Sequence, residues 1–227
     1  MTETARRLQR LCDRIAAACA KARRDPASVR LVAVSKTMPV ALVREAMDAG
    51  QRLFGENRVQ EALPKIDEAG PSARWHLVGH LQKNKARHAV GRFDLIHGVD
   101  DLELAVELDR RAAAAAMMQP VLVQANLAEE ASKHGEREEG LLPLVDAVAA
   151  LPHLDLRGLM IIPPPATDPE EARFWFSRLR DLRDRAAARL TRPLPELSMG
   201  MTDDFEIAIE EGATLLRVGR AIFGERA

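Results

Sequence analysis

Lys36 is the residue whose chemistry asks for an explanation first. It closes the stretch LVAVSK, in which five small or apolar residues from position 31 read as a buried strand. One explanation is a strand end whose lysine stays in water, the usual place for that charge. The other is an amine that condenses with an aldehyde to form a Schiff base. Such an amine must shed its proton, and partial burial or a nearby cation lowers its pKa. Arg217 and Arg220, in LLRVGRAIFG, supply that positive charge if the first and last strands are neighbours.

The same end of the chain carries the makings of a phosphate site. Ser198 offers a hydroxyl, Gly200 an exposed amide and Gly219 a close backbone approach, and Arg220 opens a short helix. Asp203 and Asp204 would oppose a phosphate on the axis of the helix they begin. The phosphate is therefore expected on the 198–200 turn and on the Gly219 and Arg220 amides, with Asp203 or Asp204 as a helix cap. Two tight βα connections without a ligand are the alternative. No metal centre is expected. His76 and His80 are four apart, but on a strand and its exit, so they would not share a face as on a zinc-binding helix. His97 falls inside a strand, and His88, His134 and His153 are scattered. The basic run LQKNKARH reads as a solvated helix face. No Walker loop, dinucleotide fingerprint or G-x-S-x-G elbow is present in the sequence.

The elements that would hold these residues are short apolar runs alternating with longer helical patterns. Strands are expected over 30–36, 52–57, 74–79, 95–100, 120–127, 156–162, 196–200 and 214–219. Many are rich in Val, Leu and Ile without clean alternation, which suits a parallel sheet buried on both faces. Helices are expected over 40–49, 58–69, 81–90, 101–117, 137–150, 169–190 and 203–211, several ending at a glycine. Eight β-then-α units predict a compact single-domain (β/α)8 barrel, with an open doubly wound sheet as the rival. In a barrel the site forms at the C-terminal strand ends. Those ends read Lys36, Glu56 and Asn57, Gly79 and His80, Asp100, Asn126, Met160 to Ile162, Ser198 to Gly200, and Arg217 to Arg220.

A helix over about 2–23 places Leu8, Leu11, Ile15, Ala18 and Cys19 on one side and is expected to pack on the barrel. Cys12 and Cys19 are two turns apart, about 10 Å, too far for a disulfide. Both read as buried small hydrophobes, and a cytoplasmic protein fits. The stretch 131–136 reads as a rim loop over the mouth, and the proline-rich 161–169 as an ordered turn. The 227 residues carry 33 basic and 34 acidic side chains, a net charge of −1, which removes a global electrostatic case for nucleic acid or membrane. No apolar run approaches the roughly 20 residues that span a bilayer, and charges interrupt the N-terminus too often for a signal peptide. A monomer is expected.

In order and spacing, AVSKT, FGENRVQEALPK, WHLVGHLQKNKAR, IHGVD, GLMIIPPP and LSMGMTDDFEIAIEEGATLLRVGRAIFGER resemble the pyridoxal phosphate homeostasis proteins, the YggS/PROSC family, from about residue 5 to 226. The resemblance implies a barrel like the N-terminal domain of alanine racemase, fold type III of the pyridoxal phosphate (PLP) proteins. It implies that Lys36 holds PLP as an internal aldimine, with Asn57 near the ring. Arg217 would face the pyridine nitrogen, and Ser198, Gly219 and Arg220 would bind the phosphate. It also implies a protein that binds, stores or delivers PLP, with PLP-dependent apoenzymes as candidate receivers, without turnover. The chain departs from the family pattern at Arg58, where tyrosine is usual, at Thr202, where serine is usual, and at Arg220, where a hydroxyl is common. An arginine at the pyridine nitrogen leaves a weaker electron sink. Racemases add a tyrosine from a second domain as their other base, and this sequence has no tyrosine; the chain is also expected to stop just after strand eight. The racemase histidine that packs on the cofactor has no counterpart at 160–162. A PLP-dependent racemase or lyase, and a cofactor-free Schiff-base aldolase, are the alternatives.

Overall fold

The computed structural model describes residues 1–130, 133–165 and 167–224. The first two residues of the expected 131–136 rim loop, residue 166 of the proline-rich turn and the last residues of the family resemblance lie outside them. Eight strands follow in order: β1 Arg30–Val34, β2 Leu53–Glu56, β3 Arg74–Leu77, β4 Leu95–Val99, β5 Gln119–Ala125, β6 Leu154–Ile161, β7 Glu196–Ser198 and β8 Leu215–Val218. Each pairs in parallel with the next, and β8 returns to β1 from Arg30 opposite Leu215 to Ala33 opposite Val218. The sheet is thus a closed barrel, and the doubly wound alternative is excluded.

Strand side chains alternate between two faces, and here each face has its own core. The inner face forms a small apolar lumen of Val32, Val78, Leu95, Leu122, Met160 and Leu215. The outer face, with Ala33, Phe54, Trp75, Ile96 and Val123, packs against the helices in a much larger jacket. Phe54 and Trp75 pack at 5.3 Å between centroids within it, their rings tilted by 32°. Burying side chains of this size contributes roughly 1.5–3 kcal/mol each, so the jacket is the main apolar store of the fold.

The helices are α1 Glu3–Lys21, α2 Val40–Asp48, α3 Val59–Ala69, α4 Ala86–Ala89, α5 Leu102–Ala114, α6 Glu138–Ala149, α7 Glu171–Leu190, α8 Phe205–Glu210 and α9 Arg220–Phe223. None among the described residues is long and apolar enough to cross a membrane. The α1 helix lays Leu8, Leu11, Ile15, Ala18 and Cys19 against α2, α8 and α9. Cys12, expected to be buried, is exposed, while Cys19 is buried. A straight helix drifts about 20° per seven residues, which carries Cys12 just past the edge of the buried stripe. The expected helix over 81–90 breaks into a 3₁₀ turn, Lys83–Lys85, and the short α4. Only Leu81, Ala86 and Ala89 of that run are buried apolar anchors, too few to hold a longer helix of unbalanced basic residues.

Candidate functional site

Alternation along β1 turns Val32 and Val34 inward, and Lys36 continues that parity at the C-terminal mouth of the barrel. Its neighbours are pinned on the opposite side. The Ser35 hydroxyl donates to Glu56 Oε1 at 2.7 Å, and Lys65 Nζ, from α3, donates to the same oxygen at 2.7 Å and to the Ser35 carbonyl at 2.8 Å. Burial pushes the Glu56 carboxyl upward, opposed by the hydrogen bonds from Lys65 and Ser35. Thr37 sits at φ 64°, a left-handed conformation that costs a β-branched residue on the order of 1–3 kcal/mol. Its amide donates to Glu61 Oε1 at 2.9 Å and its hydroxyl to the Lys36 carbonyl at 2.6 Å. The lysine backbone is therefore held from both sides while its half-buried side chain enters the mouth. This is why a buried strand ends in lysine.

Asn57 follows β2 on the parity of Gly55, and it too lines the mouth. Gly79, just after β3, lets the two exits lie together: a Cβ there would sit 2.5 Å from the Asn57 carbonyl oxygen. No side chain fits that gap.

Arg217 projects from β8 into the lumen and is buried. Its Nη1 donates to Ser198 Oγ at 2.6 Å and its Nη2 to the Ile161 carbonyl at 2.7 Å. Burial pushes its pKa down to about 10, so it stays charged at neutral pH. Ser198 Oγ lies 2.9 Å from His97 Nδ1, and His97 Nε2 lies 2.9 Å from His76 Nδ1. Arginine only donates, so the Ser198 oxygen accepts from it, and one proton is shared along each of the contacts from Ser198 to His97 and from His97 to His76. Burial keeps both imidazoles neutral, lowering His76 to about 3 and His97 well below its usual value. This chain crosses the barrel from the mouth to His76, which lines an opening at the opposite end with Arg30 and Gln51.

The residues expected around a phosphate divide between the lumen and the rim. Ser198 was expected on the phosphate turn, but it faces the lumen below the mouth, fully buried, with its hydroxyl engaged by Arg217 and His97. The parity of β7, with Leu197 in the jacket, dictates that placement. Arg220 is at the rim, exposed, and its guanidinium pairs with Asp203. Asp204 stands at the N-cap position of α8 but makes no side-chain cap bond. Its carboxylate turns back to accept from the Met201 amide at 2.6 Å, and burial pushes its pKa up.

The mouth encloses a cavity of about 1030 Å³ that brings together Lys36, Asn57, Arg217, Gly219 and Arg220, with Thr202 beside them. Of the residues expected at the site, Ser198 and Gly200 do not line it, and Gly200, expected to be exposed, is buried. The sequence reading missed the Glu56–Lys65 pair, the imidazole chain behind Arg217 and a trio of His80, Asp100 and His134 at the mouth. Alternation from Val32 through Lys36 was the available signal for the lysine. No local signal marks the others, because their partners lie on distant strands.

Residues 7–227 match the alanine racemase N-terminal domain family. The pyridoxal phosphate homeostasis protein of Aquifex aeolicus is 42% identical, over 97% of this chain and 97% of its own. That of Pseudomonas aeruginosa is 45% identical, over 100% of this chain and 97% of its own. Among solved structures, PipY of Synechococcus elongatus PCC7942 with PLP bound is 40% identical, with a TM-score of 0.86 over 98% of this chain and all (100%) of PipY. Alanine racemase of Clostridium difficile 630 shares the fold at 12% identity and a TM-score of 0.74, over 87% of this chain and 53% of the racemase. With full-length identity above 40% to several curated relatives and one barrel geometry throughout, the chain belongs to the pyridoxal phosphate homeostasis proteins, within the alanine racemase N-terminal domain family.

Proposed function

We propose that this protein binds PLP at the barrel mouth through Lys36 and serves PLP homeostasis by holding and releasing it, without turning over a substrate. The observation that carries the reading is the placement of Lys36: inward on β1, between two pinned neighbours, in a cavity it shares with Arg217. The residues present fit the cofactor. The cavity has the size of small-molecule sites, a lysine amine suits an aldehyde, and a fixed guanidinium suits a ring nitrogen. PLP, when bound, supplies an electrophilic aldehyde and an electron-withdrawing ring. Asn57, on the next strand, lines the ring side of this reading. Gly219, Arg220 and Thr202 receive the phosphate at the rim, and Ser198 acts one step behind, by anchoring Arg217.

The non-catalytic part of the reading rests on two features. Arg217, held by Ser198 and the Ile161 carbonyl and charged at neutral pH, disfavours a second positive charge on a ring nitrogen beside it, which weakens the electron sink. The 227 residues also contain no tyrosine to serve as a second base. The receivers this reading implies are PLP-dependent apoenzymes, with the protein acting as a cytoplasmic monomer. Its two free thiols, one of them exposed, suit a reducing compartment.

The test is an absorption spectrum of the purified protein, followed by borohydride reduction and peptide mass mapping. A yellow band bleached by reduction, with the added mass on the Lys36 peptide and none in Lys36→Ala, is expected. A protein that stays colourless with added PLP overturns the cofactor reading. Racemisation or transamination of an amino acid at an enzyme-like rate, lost in Lys36→Ala, overturns the non-catalytic one.

A further inference from the structure

Three consecutive strand ends converge on one carboxylate at the mouth. His80 follows β3, Asp100 follows β4, and His134 lies in the loop after β5. Asp100 Oδ2 is 2.9 Å from His80 Nδ1 and 3.7 Å from His134 Nδ1. One ligand atom from each residue lies within 4.8 Å of the others. The two imidazoles stack at 3.6 Å between centroids, 8° from parallel. The Asp100 side chain is only 8% exposed, and its Oδ1 is buried with no hydrogen-bond partner among the described residues. A carboxylate so deeply placed calls for a cation or a proton. The leading charges acting on it are the two imidazoles and the like-charged Asp101, and among the described residues its ion-pair partners are His80 and His134.

We propose that His80, Asp100 and His134 form a binding site for a divalent transition metal, with Zn²⁺ as its representative. Two imidazole nitrogens and one carboxylate oxygen are a donor set that Zn²⁺ and Fe²⁺ take while keeping positions open. Metal–ligand bonds of about 2.0–2.1 Å in tetrahedral geometry set ligand atoms about 3.3 Å apart. The observed 2.9 and 3.7 Å bracket that edge. A metal lies in the plane of each imidazole it binds, so entry of the ion opens the stack by rotation of the rings. With 32% and 57% of their side chains exposed, His80 and His134 have room to turn.

The backbone around the site is already fixed. Gln124 Nε2 donates to the His134 carbonyl at 2.8 Å. Asn126 Nδ2 donates to the carbonyls of Glu130 and Lys133, both at 3.0 Å. Asp101, next to Asp100, caps α5 through the Leu104 amide at 2.7 Å. Both histidines line the cavity that holds Lys36, so the remaining coordination positions face that cavity and take water or an anionic oxygen of its occupant. The proposal does not depend on the chemistry assigned to Lys36.

Zn²⁺ is titrated calorimetrically into the purified full-length protein in a Cys12→Ser background, which removes the exposed thiol from the count. One equivalent is expected to bind. His80→Gln, Asp100→Asn and His134→Gln should each weaken it by at least about 10- to 100-fold, a loss already typical of changes to residues that only orient the ligands. Paramagnetic Co²⁺ added to the parent protein supplies a readout that needs no variant to fold: the ring signals of His80 and His134 should show the largest shifts, far above those of His88 and His153. No uptake by the parent, undiminished affinity in any one variant, or the largest Co²⁺ shifts at other histidines would overturn the site.

Discussion

The jacket and the lumen of this barrel are built on opposite plans. The jacket runs from Leu8 on α1 to Phe223 on α9 and is apolar almost throughout. The lumen holds six buried apolar side chains and, among them, His76, His97, Gln124, Ser198 and Arg217. Apolar burial has no direction, so the jacket keeps the barrel closed but aims nothing. Hydrogen bonds do have direction, and the lumen uses them to place one guanidinium under the mouth. The difference separates what a substitution does: jacket changes act on stability, lumen changes on the protonation and geometry of the site.

Glu56 and Lys65 form a buried ion pair within the jacket, and breaking it should have the largest effect. Glu56 has no exposed side-chain surface, and Lys65 is its only cationic partner among the described residues. Lys65→Met leaves the carboxylate buried and unpaired, with Oε2 already lacking a partner, and is expected to cost about 3–5 kcal/mol. Adding Glu56→Leu should recover most of that loss, because an apolar pair suits the surroundings. Urea denaturation of the single and double variants decides it. A single variant as stable as the parent would mean the pair contributes nothing to holding the β1 and β2 ends.

The lumen is read through pH. His76 and His97 are neutral in the folded protein, pushed far below the ordinary value of 6.5 by burial, His76 to about 3. The unfolded chain binds their protons near pH 6.5, so their contribution is present above that pH and is lost progressively as pH falls toward 3. Each should remove roughly 1 kcal/mol of stability between pH 7.5 and 5.5. Glu56, Asp100 and Asp204, whose pKa values burial raises, lean the other way. Comparing the parent with His76→Gln cancels the carboxylates. The variant should lose about 1 kcal/mol less over that interval, and equal losses would show that His76 is not held neutral.

The same division explains what could be read from the amino acids. The jacket was legible because helical periodicity and strand runs are local signals: α1's stripe runs from Leu8 to Cys19, six of the eight strand windows contain their element, and those for β5 and β6 start one and two residues late. Lys36 was legible through its position at the end of β1 and the motifs around it. The lumen was not, because its contacts are made by closure. His97 and Ser198 are 101 residues apart in sequence and meet only across the barrel. Simple alternation from Leu95 and His97 would also turn Val99 inward and Asp100 outward. A register shift between Ile96 and Val99 reverses this, placing Val99 in the jacket and Asp100 with the mouth histidines. Scattered histidines therefore hid a cluster that three successive strand ends assemble.

Asp100 and Asp101 bring the comparison down to adjacent residues. Asp100 turns to the mouth, where His80 and His134 meet it. Asp101 is exposed and caps α5, with extended backbone at φ −151° and its carboxylate accepting from the Leu104 amide. The two carboxylates share a chain direction but not a task, since one answers to the cavity and the other to the unpaired amides and positive end of a helix. Asp101→Ala should cost about 1 kcal/mol, and Asp101→Asn, which keeps the accepting oxygen, much less. Neither should change the yellow band, because α5 is held to the jacket by Leu104, Ala105, Leu108 and Ala112 as well as by its cap. Thermal denaturation followed beside the absorption spectrum measures both quantities on one sample. A spectral change in Asp101→Ala would mean that the β4 exit transmits strain from the cap to the mouth, and that the two plans are coupled at this point rather than separate.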